Sequence, residues 1–122
     1  MESEKNIKPV YDLEERAFQF AKRVRLYVAK LPQTITNVED SRQVVKASGS
    51  VGANYIEANE AFTKKDFQFR LKISRKEAKE SAFFLRLIYE INPPEYVNEG
   101  KELHNEADQL KKILSAIIEK SK

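Results

Sequence analysis

Apolar residues recur along this chain three and four apart, in four blocks separated by short polar or proline-bearing breaks. That period belongs to helices with one inward face. In the first block Leu13, Ala17, Phe20, Ala21, Val24, Val28 and Leu31 fall on one side. Asp12 precedes it as a candidate N-cap, with Glu15 three residues on. Pro32 keeps the helix from running further. The stretch "LPQTITN" leads to a second block, where Thr36 and Glu39 read as another capping box. Its inward side is read as Val38, Val44, Val45, Ser48, Val51, Gly52, Tyr55, Ala58 and Phe62. A break at "FTKKD" precedes the third block, capped by Thr63 or Asp66 and running to about Ile91; "NPP" then ends it. The fourth block has the narrowest stripe: Tyr96, Gly100, Leu103, Ala107, Leu110, Leu114 and Ile117, with a polar back.

Four helices of roughly 20–27 residues with short links predict an all-α, antiparallel up-down four-helix bundle. The bundle is expected over residues 12–122, behind a polar tail at 1–11. Three helices depart from a simple pattern. The third has an inward seam of Phe67, Leu71, Ser74, Ala78, Ser81, Leu85 and Ile88, and a second seam of Phe69, Ile73, Phe84, Leu87 and Ile91 about 100° away, with Glu77 and Glu80 inside it. The first helix carries Phe18, Leu26 and Ala29 behind its main stripe. The second has a back of small and polar residues: Ala47, Ser50, Ala53, Asn54, Glu57 and Ala61. A monomer needs one inward stripe per helix, and surplus stripes mark an interface. The chain is therefore expected to form a homo-oligomer, with helices one to three in contact and the fourth further out. Ala53, Glu57, Phe69, Ile73, Glu77 and Phe84 are the interface candidates. The alternative is a wider, irregular core within one subunit.

Two of the three glycines stand in "ASGSVGAN". A phosphate loop needs GxxxxGK[ST] or GxGxxG after a strand. Here the spacing is GxxG, no strand pattern precedes it and no Lys-Ser/Thr follows. Gly49 and Gly52 are read instead as helical, thinning the second helix so that another backbone can approach.

Composition narrows the chemistry. With no cysteine there is no disulfide framework and no thiolate metal site. The N-terminus lacks the apolar run of a signal peptide, and no stretch approaches the ~20 apolar residues of a membrane span. A cytoplasmic location and no membrane partner are expected. The sole histidine, His104, has Glu102 and Glu106 beside it rather than a glutamate at 101, so the Glu-x-x-His pair of di-iron bundles is missing. Glu57, Glu60, Glu77 and Glu80 are not read as metal ligands; Asn54, Glu57, Glu77 and Glu80 are read as polar contacts between subunits, with Arg70 or Arg75 as partners. His104 is expected at the surface. The serines have no local histidine partner. No metal, no cofactor, no small-molecule substrate and no catalytic residue are expected.

Net charge is +3, but 34% of residues are charged, so the placement of basic groups matters more than their sum. Lys65, Lys72, Lys79 and Arg86 are seven apart on the third helix, flanked by Arg75 and Lys76, with Phe83 in the same row. Arg16, Arg23 and Lys30 repeat the spacing on the first, beside Lys22 and Arg25. Rows of this kind suit a phosphate backbone, read without sequence preference and with strong salt dependence. The plainer reading is a solvated helix face. Arg16, Arg23, Lys65, Lys72, Lys79 and Arg86 are the nucleic-acid candidates.

The run "SVGANYIEA", the following "KDF", and "KEAKESAFFLRLI" together resemble the 23S rRNA intervening-sequence proteins, a four-helix-bundle family. "DLEERAFQFAKRVR" and "NVEDSRQ" are similar to that family too, so the resemblance spans about Tyr11 to Ile91. The fourth helix matches in character more than in motif. The resemblance implies a small bacterial bundle encoded within an rRNA-gene insertion or elsewhere, with no established enzymatic activity. It also implies kinship with accessory bundles of diversity-generating retroelements, which form pentameric barrels associated with nucleic acid. A pentamer-like ring is the expectation it adds. Phe84 stands where members often have Trp, which keeps bulk but removes an indole N–H. The function expected is a non-enzymatic oligomer that binds RNA or another nucleic acid. The alternative is a structural or protein-binding oligomer serving a separate enzyme.

Overall fold

The computed structural model describes residues 12–122, so the tail at 1–11 lies outside the described residues. Four α-helices follow one another: α1 (Leu13–Val28), α2 (Ile35–Asn59), α3 (Lys64–Ile91) and α4 (Val97–Lys120), with a 3₁₀ turn at Pro94–Tyr96 before α4. The caps explain where they begin. Asp12 accepts from the Glu15 amide at 3.0 Å, and Thr63 accepts from the Asp66 amide at 3.0 Å. The second cap differs from expectation. Thr34, not Thr36, accepts from the Asn37 amide at 3.1 Å, so α2 starts two residues, about half a turn, earlier than the Thr36/Glu39 box implied.

Cross-links between neighbours run in opposite numerical directions, which is the mark of antiparallel packing. Between α1 and α2, Glu14 meets Asn59 and Arg25 reaches Val45. Between α2 and α3, Asn37 meets Asn92 and Ser74 donates to the Val51 carbonyl. Between α3 and α4, Gln68 reaches Ile118 and Tyr89 meets His104 edge-on. Arg16–Glu106 and Lys30–Glu99 join α4 back to α1 and close the up-down bundle. No strand occurs among the described residues.

The core follows the seams, with instructive exceptions. Leu71, Ser74, Ala78, Ser81, Leu85 and Ile88 of α3 are buried, and so are Leu103, Ala107, Leu110 and Leu114 of α4. At the end of α4 the buried residue is Ile118, with Ile117 only half-buried. A straight helix drifts about 20° per heptad, so the fifth step moves one residue on. Val38 is exposed and Asn37 is buried in its place. Phe62 falls in the link after Asn59 and is fully exposed. Ala47 is buried rather than on the back, because α2 is covered by both α1 and α3. Tyr27, absent from the expected stripe, is fully buried; its hydroxyl donates to the Tyr96 carbonyl at 2.8 Å.

Asn37 and Asn92 form a reciprocal amide pair, at 2.7 and 2.8 Å. Each also donates to a backbone carbonyl, Asn37 to Pro32 in the α1–α2 link and Asn92 to Ile88 in the last turn of α3. This pair clamps the α1–α2 link to the end of α3. Asn37→Ala removes bonds and leaves the Asn92 carbonyl oxygen without its donor, so it is expected to cost about 1–3 kcal/mol. Urea unfolding measures it as a lower midpoint at unchanged slope.

Candidate nucleic-acid and assembly surfaces

The two basic rows have different fates. On α1, Arg16 binds Glu106 through two nitrogens at 2.7 and 2.9 Å. Arg23 meets Glu102 at 3.3 Å, and Lys30 meets Glu99. The glutamates sit three and four apart on α4, so the antiparallel register lays an acidic row against the basic one. The bidentate hydrogen bonding to Glu106 raises the affinity of the Arg16 guanidinium for its proton. Arg16 and Arg23, the nucleic-acid candidates of α1, thus have part of their charge compensated within the subunit.

The α3 row is more open. Lys65, Lys72 and Lys79 are exposed. Ion pairs of α3 among the described residues are Lys76–Glu77 at 3.6 Å and Arg86–Glu90 at 2.8 Å. Arg86, the fourth member of the row, is thus partly compensated. Arg75 turns toward α4 and donates to the Ser115 hydroxyl at 3.4 Å. α3 carries eight Lys and Arg against four Asp and Glu, an excess of four. The whole chain has a net charge of +3, so α3 holds all of the imbalance. Phe83 stands in this row 60% exposed, its ring edge-on to Phe84 at 5.2 Å.

Apolar surface remains on two other faces. Between α1 and α2 lies an open groove of about 510 Å³, with Ala21, Gly52 and Ala53 among its small residues, Phe18, Leu26 and Ile56 as its large apolar ones, and Glu14, Lys22 and Arg25 as its charged ones. Phe18, Leu26 and Ile56 are 59%, 58% and 46% exposed. Both glycines here are helical with ordinary backbone. A Cβ on Gly52 would lie 3.3 Å from the Ala17 Cβ, so Gly52 is where α1 packs tightly on α2. A Cβ on Gly49 would meet only the guanidinium end of Arg25, which donates to the Ala21 and Val45 carbonyls.

The other face is the outer seam of α3. Phe69, Leu87 and Ile91 are exposed, and Ile73 and Glu77 half-buried. Phe84 differs from expectation, because its ring packs partly against the core of its own subunit. Glu57 and Ala53 on α2 are exposed. Asn54 accepts from Arg70 at 3.4 Å within the subunit, where a contact between subunits was expected. His104 is half-buried against Tyr89 rather than at the surface.

Among the described residues, no three His, Cys, Asp or Glu side chains gather as a metal site. No helix is long and apolar enough to cross a membrane. Tyr27 is the most strongly perturbed acid: burial, with the nearby Glu99 charge, pushes its hydroxyl up to about 12. Its hydrogen bond to a backbone carbonyl gives it a packing role.

No curated protein matches the chain. The fold superposes on a crystal structure of a protein with unknown function from the S23 ribosomal protein family of Bacteroides thetaiotaomicron VPI-5482. The TM-score is 0.71 at 29% identity, over 86% of this chain and 96% of that one. The model of the 23S rRNA-intervening sequence proteins matches residues 11–116. That stretch takes in α1, α2 and α3 and most of α4, and the chain belongs to the 23S rRNA-intervening sequence protein family.

Proposed function

We propose that this protein is a non-enzymatic, self-assembling bundle that binds RNA or another nucleic acid along the outer basic face of α3. The observation that carries the reading is the excess of four positive charges on α3, in a row whose Lys65, Lys72 and Lys79 stand exposed. Such a face attracts phosphates regardless of sequence. Phe83 adds an aromatic surface on which an unpaired base can stack. Repetition of the row around an oligomer multiplies a weak contact into avidity. The resemblance to pentameric relatives favours a ring of five. The exposed groove and outer seam supply apolar surface for assembly. They also favour a second reading, in which the same oligomer serves as a protein-binding accessory to a separate enzyme.

The test is charge reversal on the row. Lys72→Glu with Lys79→Glu should weaken binding to single-stranded RNA of any sequence. It should flatten the plot of log affinity against log salt by roughly 1.4, at ~0.7 for each single-strand phosphate that is no longer neutralised. Reversal at Lys112, on the back of α4, should leave binding near wild type. Equal weakening by both would mean a diffuse charge effect. Absence of RNA binding by the wild type at low salt would leave the protein-binding reading ahead.

A further inference from the structure

The basic row of α3 contains a repeat. Lys65, Phe69 and Lys72 recur fourteen residues on as Lys79, Phe83 and Arg86. In each copy one cation stands four residues before the ring and another three after it, so both flank the ring on the helix surface. The rings of Phe69 and Phe83 are 56% and 60% exposed. Fourteen residues carry the second copy about 21 Å along α3 and turn it by about 40°. One exposed phenylalanine is ordinary. Here the same arrangement of ring and cations occurs twice on one face. Phe69, counted with the outer seam by its spacing, thus also borders the row.

Each ring is braced on one side. Arg70 lies over the Phe69 ring, 5.9 Å from its centre, and is itself hydrogen-bonded to Asn54. The open hollow beside this ring is lined by Lys64, Lys65, Gln68, Phe69 and Lys72, with no acid among them. Phe83 rests edge-on against Phe84, with 5.2 Å between ring centres, and Phe84 packs partly on the core. The hollow beside Phe83 measures about 280 Å³ and is lined by Phe83, Arg86, Leu87, Glu90 and Ile91. Glu90 is its one acid, and it pairs with Arg86 at 2.8 Å. Lys72, Lys76 and Lys79 stand between the two rings and are exposed. Of these three, Lys76 alone has an ion pair among the described residues, with Glu77 at 3.6 Å. Glu80 is turned about 100° away from Lys79.

We propose that Phe69 and Phe83 are stacking platforms for two unpaired bases of one strand, so that this face takes single-stranded nucleic acid through its bases as well as its phosphates. The proposal rests on the preceding reading and narrows its ligand. The lysines between the rings follow the phosphates of the strand. A ring needs the open face of a base, and in a duplex the neighbouring pairs cover those faces. Side chains also cannot read the deep, narrow major groove of an RNA duplex. A duplex therefore meets the cations alone. A stacked strand rises ~3.4 Å per nucleotide, so about six nucleotides cover the distance between the rings, and fewer when the strand is unstacked.

Phe69→Leu and Phe83→Leu test it. Leucine keeps apolar bulk at these exposed positions and removes the aromatic face. Both variants should keep native helix content by circular dichroism and native mass by light scattering. Fluorescence anisotropy should show each binding a single-stranded RNA dodecamer about fivefold or more weakly, which is the low end for one base stacked on an aromatic ring. The slope of log affinity against log salt should stay as in the wild type, because no phosphate contact is lost. Duplex RNA of the same sequence should bind the wild type and both variants alike. Unchanged single-strand affinity in either variant, or equal weakening of the duplex, sinks the proposal while the charge reading stands. A changed mass in either variant would assign that ring to subunit contacts, and the proposal fails. A wild type that binds no RNA at low salt overturns both.

Discussion

Gly100→Ala is expected to destabilise the bundle by about 1–3 kcal/mol, although alanine is the better helix former. A Cβ at this position would lie 2.5 Å from the Tyr27 hydroxyl and 2.6 Å from the Tyr89 Cβ. Neither neighbour can yield easily. Tyr27 is fully buried and its hydroxyl is tied to the Tyr96 carbonyl. The Tyr89 Cβ moves only with the backbone of α3. Room for the methyl therefore means shifting α4 away from α1 and α3, or breaking the Tyr27 bond. Overpacking of this kind outweighs the ~1 kcal/mol that alanine gains in helix propensity. The control is Gly49→Ala. There the new methyl meets only the Arg25 guanidinium end, at 3.1 Å. The side chain can swing aside, so helix propensity should dominate and stability should rise by up to ~1 kcal/mol. Denaturant midpoints that move in opposite directions for the two substitutions would bear this out. A neutral Gly100→Ala would mean that α4 does not pack this closely.

The second large effect is alkaline. The Tyr27 hydroxyl is raised from about 10 to about 12, first by burial and then by the Glu99 charge. The sign follows from linkage. Below about pH 10 the hydroxyl is neutral in both folded and unfolded chains, and its contribution is complete. Between about pH 10 and about pH 12 the unfolded chain loses the proton while the folded chain keeps it, so stability falls steadily across that window. Tyr27→Phe should be less stable at pH 8, because the Tyr96 carbonyl loses its donor. Its stability should fall less between pH 10 and 12. The two denaturation curves should therefore converge as pH rises. Parallel curves would mean that Tyr27 does not carry the alkaline loss.

Much of the fold was legible in the sequence because its signals are local. Asp12 and Thr63 cap from three residues before their partners, and that spacing is visible in the letters. Thr36 with Glu39 misled because the same spacing is met by chance two residues after the true cap. The true cap, Thr34, is fixed by Asn37, whose amide partners Pro32 and Asn92 come together only on folding. Tyr27 stood three residues after Val24 on the inward stripe, and its polar hydroxyl concealed a core residue. The acidic partners of the basic row of α1 were hidden for another reason. A row on one helix says nothing about what lies across from it. Glu99, Glu102 and Glu106, three and four apart, were the available signal, and the antiparallel register made it meaningful. The α3 row and the surplus apolar seam were readable because each lies on a single helix. The close approach at Gly100 was not, since it depends on three helices at once.

The most direct measurement is the mass of the native chain in solution, by light scattering, with and without single-stranded RNA, across a salt series. The account predicts a defined oligomer at micromolar concentration whose size does not change with salt. At low salt that oligomer should carry RNA and release it as salt rises, because phosphate contacts are screened while apolar contacts are not. A monomer at every salt concentration, with no RNA bound at the lowest, would contradict it.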